Sequence, residues 1–397
     1  MNWPLLLTAA FFLLGPLLMS LVDVIPARRG RAHTAIPTHV DVLEDDFEIV
    51  VPIWGHTRFL ENVEFLAQYG NRVTLATTSV ESVEFYRQLD LMAEMHGFRV
   101  FRAEVPVTGD SRGSERAVSG TIRDRVVREA MHSIRARYVV CVDADTVPSR
   151  PIEELVGALA ANDLEIASVR IVPSNTDTLV GKFQAIEYRL TMRLRRLWPW
   201  LVSGACHAGT TAAYTDVMDN HSLFFQGNDA EVGLLATKLG YRVGHVDYEV
   251  PTTVPDTWRA WWRQRFAWSG GEFRLGIVNF PIVAKLFPMF AAYLTGIVLL
   301  LSVVRWFALT NSTLAVLAVL AAIYVGLVVW SERRFSLSAL LYPLYGMFGS
   351  LVLAILSPVS YAVMAVRDRN TGRIGTDRSR SHERNQDSRP VPVAAIP

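Results

Sequence analysis

A chain of 397 residues with a formal charge of +1 offers no bulk electrostatic case for binding nucleic acid. An apolar fraction of 51% and a mean hydropathy of +0.24 are high for a wholly water-exposed globular protein, and the excess is localised. Cys141 and Cys206, set among apolar or small residues, exclude a disulfide scaffold and read as reduced core thiols.

Residues 1–26 read as an N-terminal transmembrane anchor. Trp3–Ile25 carries no charge before Asp23, and about 20 apolar residues suffice to cross a bilayer as a helix. The stretch lacks the basic start and small-residue cleavage site of a secretory signal. Arg28, Arg29 and Arg31 follow at once, so the positive-inside rule places the N-terminus outside and the next segment in the cytoplasm.

Residues 33–257 alternate between strand-like and helix-like patterns. Phe47–Trp54 predicts a buried strand, Glu61–Tyr69 a helix, Arg72–Thr78 a strand, Glu81–His96 a helix and Phe98–Phe101 a strand. A helix over Ser119–Ile134 would turn Ile122, Val126, Val127, Ala130 and Met131 toward a sheet, and Tyr138–Val142 would be its next strand. The alternation predicts a parallel sheet with crossover helices. Downstream, Leu179–Leu194 reads as an amphipathic helix, Ser203–Thr210 as a small-residue loop, and Val232–Leu239 as a helix ending at Gly240.

Residues 258–280 form a Trp/Arg-rich segment, and residues 281–366 a second membrane block with spans at Leu286–Val304, Thr313–Trp330 and Leu337–Val366. The last is longer than one crossing needs. Pro343, Gly346, Gly349 and Pro358 could kink it, break it into a short hairpin, or leave part of it in the interface. Three crossings put the Arg-rich tail outside and four keep it inside, the arrangement that the positive-inside rule favours. Residues 367–397, polar and then Pro-rich, read as a disordered tail.

Four clusters carry chemistry. Asp143-Ala144-Asp145 follows the Tyr138–Val142 strand; it is either a polar turn or, with both carboxylates on one face of extended backbone, a site for Mg²⁺ or Mn²⁺ at the carboxyl end of a sheet. Such ions need only a carboxylate or two beside water and substrate phosphates. Asp229, in Gly227-Asn228-Asp229, is either a helix N-cap or a base with one carboxylate oxygen free. In Trp258–Gly271 the tryptophans and arginines suit an interfacial anchor, or guanidiniums that clamp a diphosphate beside indole faces that bind sugar rings. Phe183-Gln184-Ala185-Ile186-Glu187-Tyr188 lies on the amphipathic helix. His207 has no second metal-type ligand at suitable spacing and is assigned no role.

Taken in order, Asp-Ala-Asp, Phe-Gln-x-x-Glu-Tyr, Gly-Asn-Asp, Gln264-Arg265-Phe266-Ala267-Trp268 and then apolar helices resemble the membrane-bound family 2 glycosyltransferases, such as hyaluronan, chitin and cellulose synthases. The resemblance covers nearly the whole chain. It implies an α/β GT-A (nucleotide-diphospho-sugar transferase-like) cytoplasmic domain with α-helical transmembrane segments in the plasma membrane. It further implies a nucleotide-sugar donor, expected to be a UDP-sugar, and an inverting transfer. Carried over by position, Asp143 would contact the donor or the metal, Asp145 would ligate the metal, and Asp229 would be the catalytic base. Gln264 and Trp268 would line the acceptor site.

The sequence departs from the family pattern at Ala267, which stands where an arginine is expected, so diphosphate binding would fall to Arg265 or Arg263. Thr77-Thr78-Ser79 replaces the acidic residues expected after the second strand. Three functions compete: a polysaccharide synthase that exports a β-linked chain, a non-processive transferase to a lipid-linked or glycolipid acceptor, and a catalytically silent membrane protein that keeps the fold.

Overall fold

The computed structural model describes residues 34–37, 46–104, 107–109, 115–117, 122–196, 198–223, 228–280, 311–332 and 335–367. Its strands are β1 (Thr34–Ala35), β2 (Phe47–Pro52), β3 (Val73–Thr78), β4 (Arg99–Ala103), β5 (Val107–Gly109), β6 (Glu115–Ala117), β7 (Tyr138–Val142), β8 (Ile166–Pro173), β9 (Cys206–Thr210) and β10 (Val243–Thr252). Its helices are α1 (Val63–Ala67), α2 (Val83–His96), α3 (Ile122–Met131), α4 (Ile152–Ala161), α5 (Leu179–Arg195), α6 (Thr211–Asp219), α7 (Asn228–Leu239), α8 (Trp258–Val278), α9 (Asn311–Glu332), α10 (Leu337–Phe348) and α11 (Ala354–Arg367).

An 8-stranded sheet in the order β1-β10-β8-β9-β7-β2-β3-β4 forms the centre. Every pairing is parallel except those of β9, which runs antiparallel to β7 and to β8. Helices cover both faces, which is why β2 and β7 are buried along their whole length and β7 reads as a continuous apolar run. Alternate residues divide between two cores. Phe47, Ile49, Val51, Val140 and Val142 pack with α1, α2 and α4. Val50, Val139 and Cys141 pack with α3, α6 and α7, where Val126, Val127, Ala130 and Met131 occupy the face expected of them. Both cysteines are free and buried, as expected.

Local signals set the boundaries of α2. The Ser82 hydroxyl accepts the Phe85 N–H at 3.2 Å, and Gly97, at φ 72°, ends the helix in the left-handed conformation that glycine adopts without strain.

The expected loop over Ser203–Thr210 is corrected: Cys206–Thr210 is the central strand β9. Its small residues reflect close approach, since a Cβ on Gly209 would lie 2.7 Å from the Glu165 carbonyl oxygen.

A third core joins α5, α8, α9 and α10 through Phe183, Ile186, Trp261, Tyr324, Val328, Tyr342 and Tyr345. Counted over the described residues, no helix is long and apolar enough to cross a membrane. Of the expected spans, Trp3–Ile25 and Leu286–Val304 lie outside the described residues, as does the tail from residue 368. Thr313–Trp330 falls in α9, part of whose side chains lie outside the description. Leu337–Val366 is divided into α10 and α11 by a π-helical turn at Gly349–Leu353, with Pro343 and Pro358 inside the two helices.

Candidate active site

The site is built at the carboxyl end of β7, where β9 begins beside it. Asp143 and Asp145 lie on a turn rather than on extended backbone, for the Thr146 N–H donates to the Asp143 carbonyl at 3.1 Å. The turn is held from several sides. The buried Asn62 amide donates to the Asp143 and Thr146 carbonyls at 3.1 and 2.9 Å, and the Glu61 N–H donates to the Ala144 carbonyl at 2.8 Å. Thr146 also bridges to Thr252 at the end of β10, their hydroxyls 3.2 Å apart.

The Asp143 carboxylate faces inward, and its Oδ1 accepts from Arg123 Nε of α3 at 2.8 Å. Burial pushes the Asp143 carboxyl above its ordinary range, Arg123 opposes that, and the charge of Asp229 adds to it. Asp145 is solvent-exposed at the rim of the turn. Its carboxyl nevertheless loses enough water to be pushed up to about 6, with the Asp143 charge as the second cause.

Arg123 continues beyond Asp143. The same guanidinium donates to Asp124 Oδ1 at 3.2 Å and to the Gly204 carbonyl. The Gly204 N–H in turn donates to Asp229 Oδ2 at 2.7 Å. One residue, Gly204, therefore ties Asp143, through Arg123, to Asp229. Of the two readings of Asp229, the helix cap does not hold: α7 begins at Asn228, Asp229 sits in the first turn, and one of its carboxylate oxygens is taken by the Gly204 N–H. An anionic side chain in a first helical turn is favoured by the helix dipole.

Helix α5 connects this carboxylate group to α8. Gln184 donates to the Pro255 carbonyl at 2.6 Å, fixing the approach to α8. Glu187 accepts from Arg265 at 2.9 Å and from the Tyr345 hydroxyl at 2.6 Å, while that hydroxyl accepts from Trp261 Nε1 at 2.8 Å. The Arg265 guanidinium also lies 4.4 Å from the Trp268 ring centroid, a cation–π distance. The Phe-Gln-x-x-Glu-Tyr motif is thus a brace between helices. At the carboxyl end of α5, Arg195 feels the charge of Asp229; burial nonetheless pushes its guanidinium down to about 10, so it stays protonated at neutral pH.

The structure brings together Asp143, Asp145 and Asp229, and sets Arg265, Gln264 and Trp268 on α8. Arg265 is committed to Glu187 rather than open to solvent. Arg263 is exposed, and two residues along a helix it cannot share a face with Arg265. Gln264 is half-buried, and its Oε1 is without a hydrogen-bond partner among the described residues. Trp261 is core, 2% exposed, whereas Trp258 is half exposed.

His207 is structural. Its ring stacks on Tyr214 at 5.4 Å, its Nδ1 lies 2.8 Å from the Ser203 carbonyl, and burial holds it down to about 3 and hence neutral. Thr78, at the position expected to be acidic, donates to Glu81 at 2.6 Å, which also accepts the Gly55 N–H at 3.1 Å. Arg123, Asn62 and Tyr345 carried no sequence signal, because each acts through a partner distant in the chain.

Asp143 and Asp145 fit a divalent cation. The Asp143–Arg123 bond occupies one carboxylate oxygen, and the rim carboxyl of Asp145 lacks a cationic partner among the described residues. No group of three or more His, Cys, Asp or Glu side chains placed to hold a metal ion is found among the described residues. Mg²⁺ or Mn²⁺ needs no such group when phosphates and water complete its shell.

Residues 138–331 match the model of the family described as glycosyl transferase family group 2. A curated relative, an N-acetylglucosaminyltransferase of Rhizobium meliloti (strain 1021), is 26% identical over 169 residues, covering 38% of this chain and 40% of the relative's length. Among solved structures, the chain resembles a mannosyltransferase from Pyrobaculum calidifontis in complex with GDP-Man and Mn²⁺, at 15% identity and a TM-score of 0.49, over 93% of this chain and 98% of that one. It also resembles a Mycobacterium tuberculosis glucosyl-3-phosphoglycerate synthase in complex with Mn²⁺, UDP and glucosyl-3-phosphoglycerate, at 14% identity and a TM-score of 0.33, over 56% and 80% of the two chains.

Proposed function

We infer, from the premise that residues 138–331 are those of a family 2 glycosyltransferase, that this protein moves a sugar from a nucleotide-sugar donor to an acceptor hydroxyl. The observation that carries the reading is the chain of contacts Asp143–Arg123–Gly204–Asp229, which holds a donor-side carboxylate and a prospective base at fixed separation. Asp229 takes the acceptor proton through the carboxylate oxygen that Gly204 leaves free. A single displacement with inversion needs one base and no second carboxylate as nucleophile.

Asp145, with the remaining oxygen of Asp143, would hold Mg²⁺ or Mn²⁺. Bound there, such an ion neutralises charge on the donor's diphosphate. Trp268 and Gln264 are assigned to the acceptor side, and the orphaned Gln264 Oε1 suits a sugar hydroxyl.

Attachment to the plasma membrane, with this domain on the cytoplasmic side, is part of the proposal and rests on the uncharged stretches of the sequence. The acceptor is read as a growing β-linked polysaccharide, exported through the same chain. One observation favours a lipid-linked acceptor instead. An apolar groove of about 280 Å³ lined by Leu179, Phe183, Trp258, Leu344, Tyr345 and Phe348 opens beside the Glu187–Arg265 brace, where an acyl or isoprenoid chain would fit.

The test is purified protein with Mn²⁺ or Mg²⁺ and a panel of nucleotide sugars, read by released nucleotide and product mass. Asp229→Asn should lower nucleotide release by about 10²–10⁴-fold, the worth of general-base catalysis. Unchanged release would refute the role of Asp229. A ladder of products supports the polymerase reading, and a single lipid-soluble product supports the other.

A further inference from the structure

Helix α8 is fastened to its neighbours at two arginines. Arg265 is held by Glu187 of α5 at 2.9 Å, and further along the helix Arg274 donates to Glu231 of α7 at 3.5 Å. At the rise of an α-helix the two fastenings stand about 13–14 Å apart along its axis. The second bears on the base, because Glu231 lies in the same first turn of α7 as Asp229. We propose that Arg274 is a positioning residue for the transfer: through Glu231 it holds the base helix α7 in register with α8, and so sets Asp229 against the helix that carries Trp268. This rests on the transferase reading above.

The pair is buried at both ends, the Arg274 and Glu231 side chains being 2% and 4% exposed. A buried ion pair is weak evidence for stability, since apolar residues of similar volume often serve as well; its best-attested use is to fix register. Glu231 gathers further groups on the same oxygen. The Ser222 hydroxyl donates to Glu231 Oε2, and His221 Nε2 lies 3.8 Å from it. Both belong to the segment that follows α6, and the next residue, Leu223, is buried with φ 52°, a left-handed conformation that a bulky side chain adopts only under constraint. Backbone strain of this kind persists where the surroundings over-determine it, and it clusters at working sites. The Leu223 N–H, which donates to His221 Nδ1 at 3.1 Å, is part of that constraint.

One carboxylate thus joins α8, the strained segment after α6 and the helix of the base. Along α7 the contacts alternate in origin. Asp229 is held by Gly204, Glu231 by Arg274, and at Gly233 an added Cβ would lie 1.8 Å from the Trp200 carbonyl oxygen. The helix cannot turn or slide without disturbing all three. Arg274 is the one of these contacts that α8 supplies, and a misplacement of about 1 Å at a reacting group can cost about 10²-fold in rate.

The experiment measures nucleotide release by the full chain with Mn²⁺ and the nucleotide sugar it turns over fastest. Variants are Arg274→Met, Arg274→Lys and the pair Glu231→Gln/Arg274→Met, each made alone and in combination with Asp229→Asn, and each checked by thermal melting. Because Arg274→Met leaves a buried carboxylate unpaired, the pair variant, which leaves no such charge, decides the matter if the single variant does not fold. Arg274→Met and the pair variant should lower kcat about 10- to 100-fold with the donor KM changed less than about threefold, and Arg274→Lys should recover part of the loss. In the Asp229→Asn background the same changes should lower kcat by less than about twofold, because a residue that acts through the base has nothing left to position. A pair variant within about twofold of the wild-type kcat, or one whose loss is the same with and without the Asp229 carboxylate, would overturn the proposal and leave the transferase reading standing. Wild-type protein that releases no nucleotide from any donor would overturn that reading and this one with it.

Discussion

Arg123→Met removes the cation that joins Asp143 to Gly204 while keeping most of the side chain's apolar reach. Hydrogen bonds to charged groups each contribute about 1.5–3 kcal/mol. Arg123 and Asp143 are 20% and 30% exposed, so the lower end applies to the bonds with Asp143 and with the Gly204 carbonyl. The expected loss is about 3 kcal/mol, or roughly 6–12 °C in melting temperature for a domain of this size. The loss should depend on pH in a definite direction. Burial already raises the folded pKa of Asp143, and removing Arg123 raises it further. A carboxyl raised in the folded state carries its full penalty above that pKa and sheds it as pH falls toward the unfolded value. The melting difference between wild type and variant should therefore be larger at pH 8 than at pH 5. Scanning fluorimetry across that range measures it. A loss that is equal at both pH values, or under about 1 °C, would refute the assigned role of the Arg123–Asp143 bond.

On the outer surface, the Asp219 bond at 3.0 Å raises the folded pKa of His132, so the pair stabilises the fold below the ordinary histidine pKa and loses that contribution as pH rises through the folded value. Asp219→Asn should flatten the pH dependence of melting in that window; an unchanged profile would count against the pair. Gly233→Ala would set a methyl 1.8 Å from the Trp200 carbonyl oxygen and should cost about 3 kcal/mol or more, whereas Gly326→Ala in α9, whose added methyl meets nothing within 4 Å among the described residues, should be neutral or stabilising by about 0.5–1 kcal/mol. Comparable melting temperatures for the two variants would contradict the packing described.

Legibility in the sequence followed the range of the forces. Tyr138–Val142 reads as a buried strand because its neighbours in sequence share its environment, and α2 reads as a helix because apolar residues recur at helical spacing over Glu81–His96. Strand β9 was hidden because small residues signal close approach of other strands, which composition alone does not distinguish from a loop. The three aspartates could be nominated from residue type and order. The partner that commits Arg265 could not, since Glu187 lies 78 positions away. Arg123 was invisible for the same reason, lying 81 positions from Gly204. Asp229 reads equally as a cap or as a base until Gly204, contributed by another element, takes one of its carboxylate oxygens.

The Tyr345 hydroxyl reaches Glu187 across 158 positions of chain. During synthesis at about 5–20 residues per second, that separation is a delay of roughly 8–30 s. In the later part of that interval, once β10 and Trp261 have been made, the strands and the carboxylates exist while Glu187 and Trp261 wait for the group that joins them. The brace on Arg265 is thus a late event in the life of each molecule, and a nascent chain stalled before α10 would carry a finished sheet beside an unfinished site.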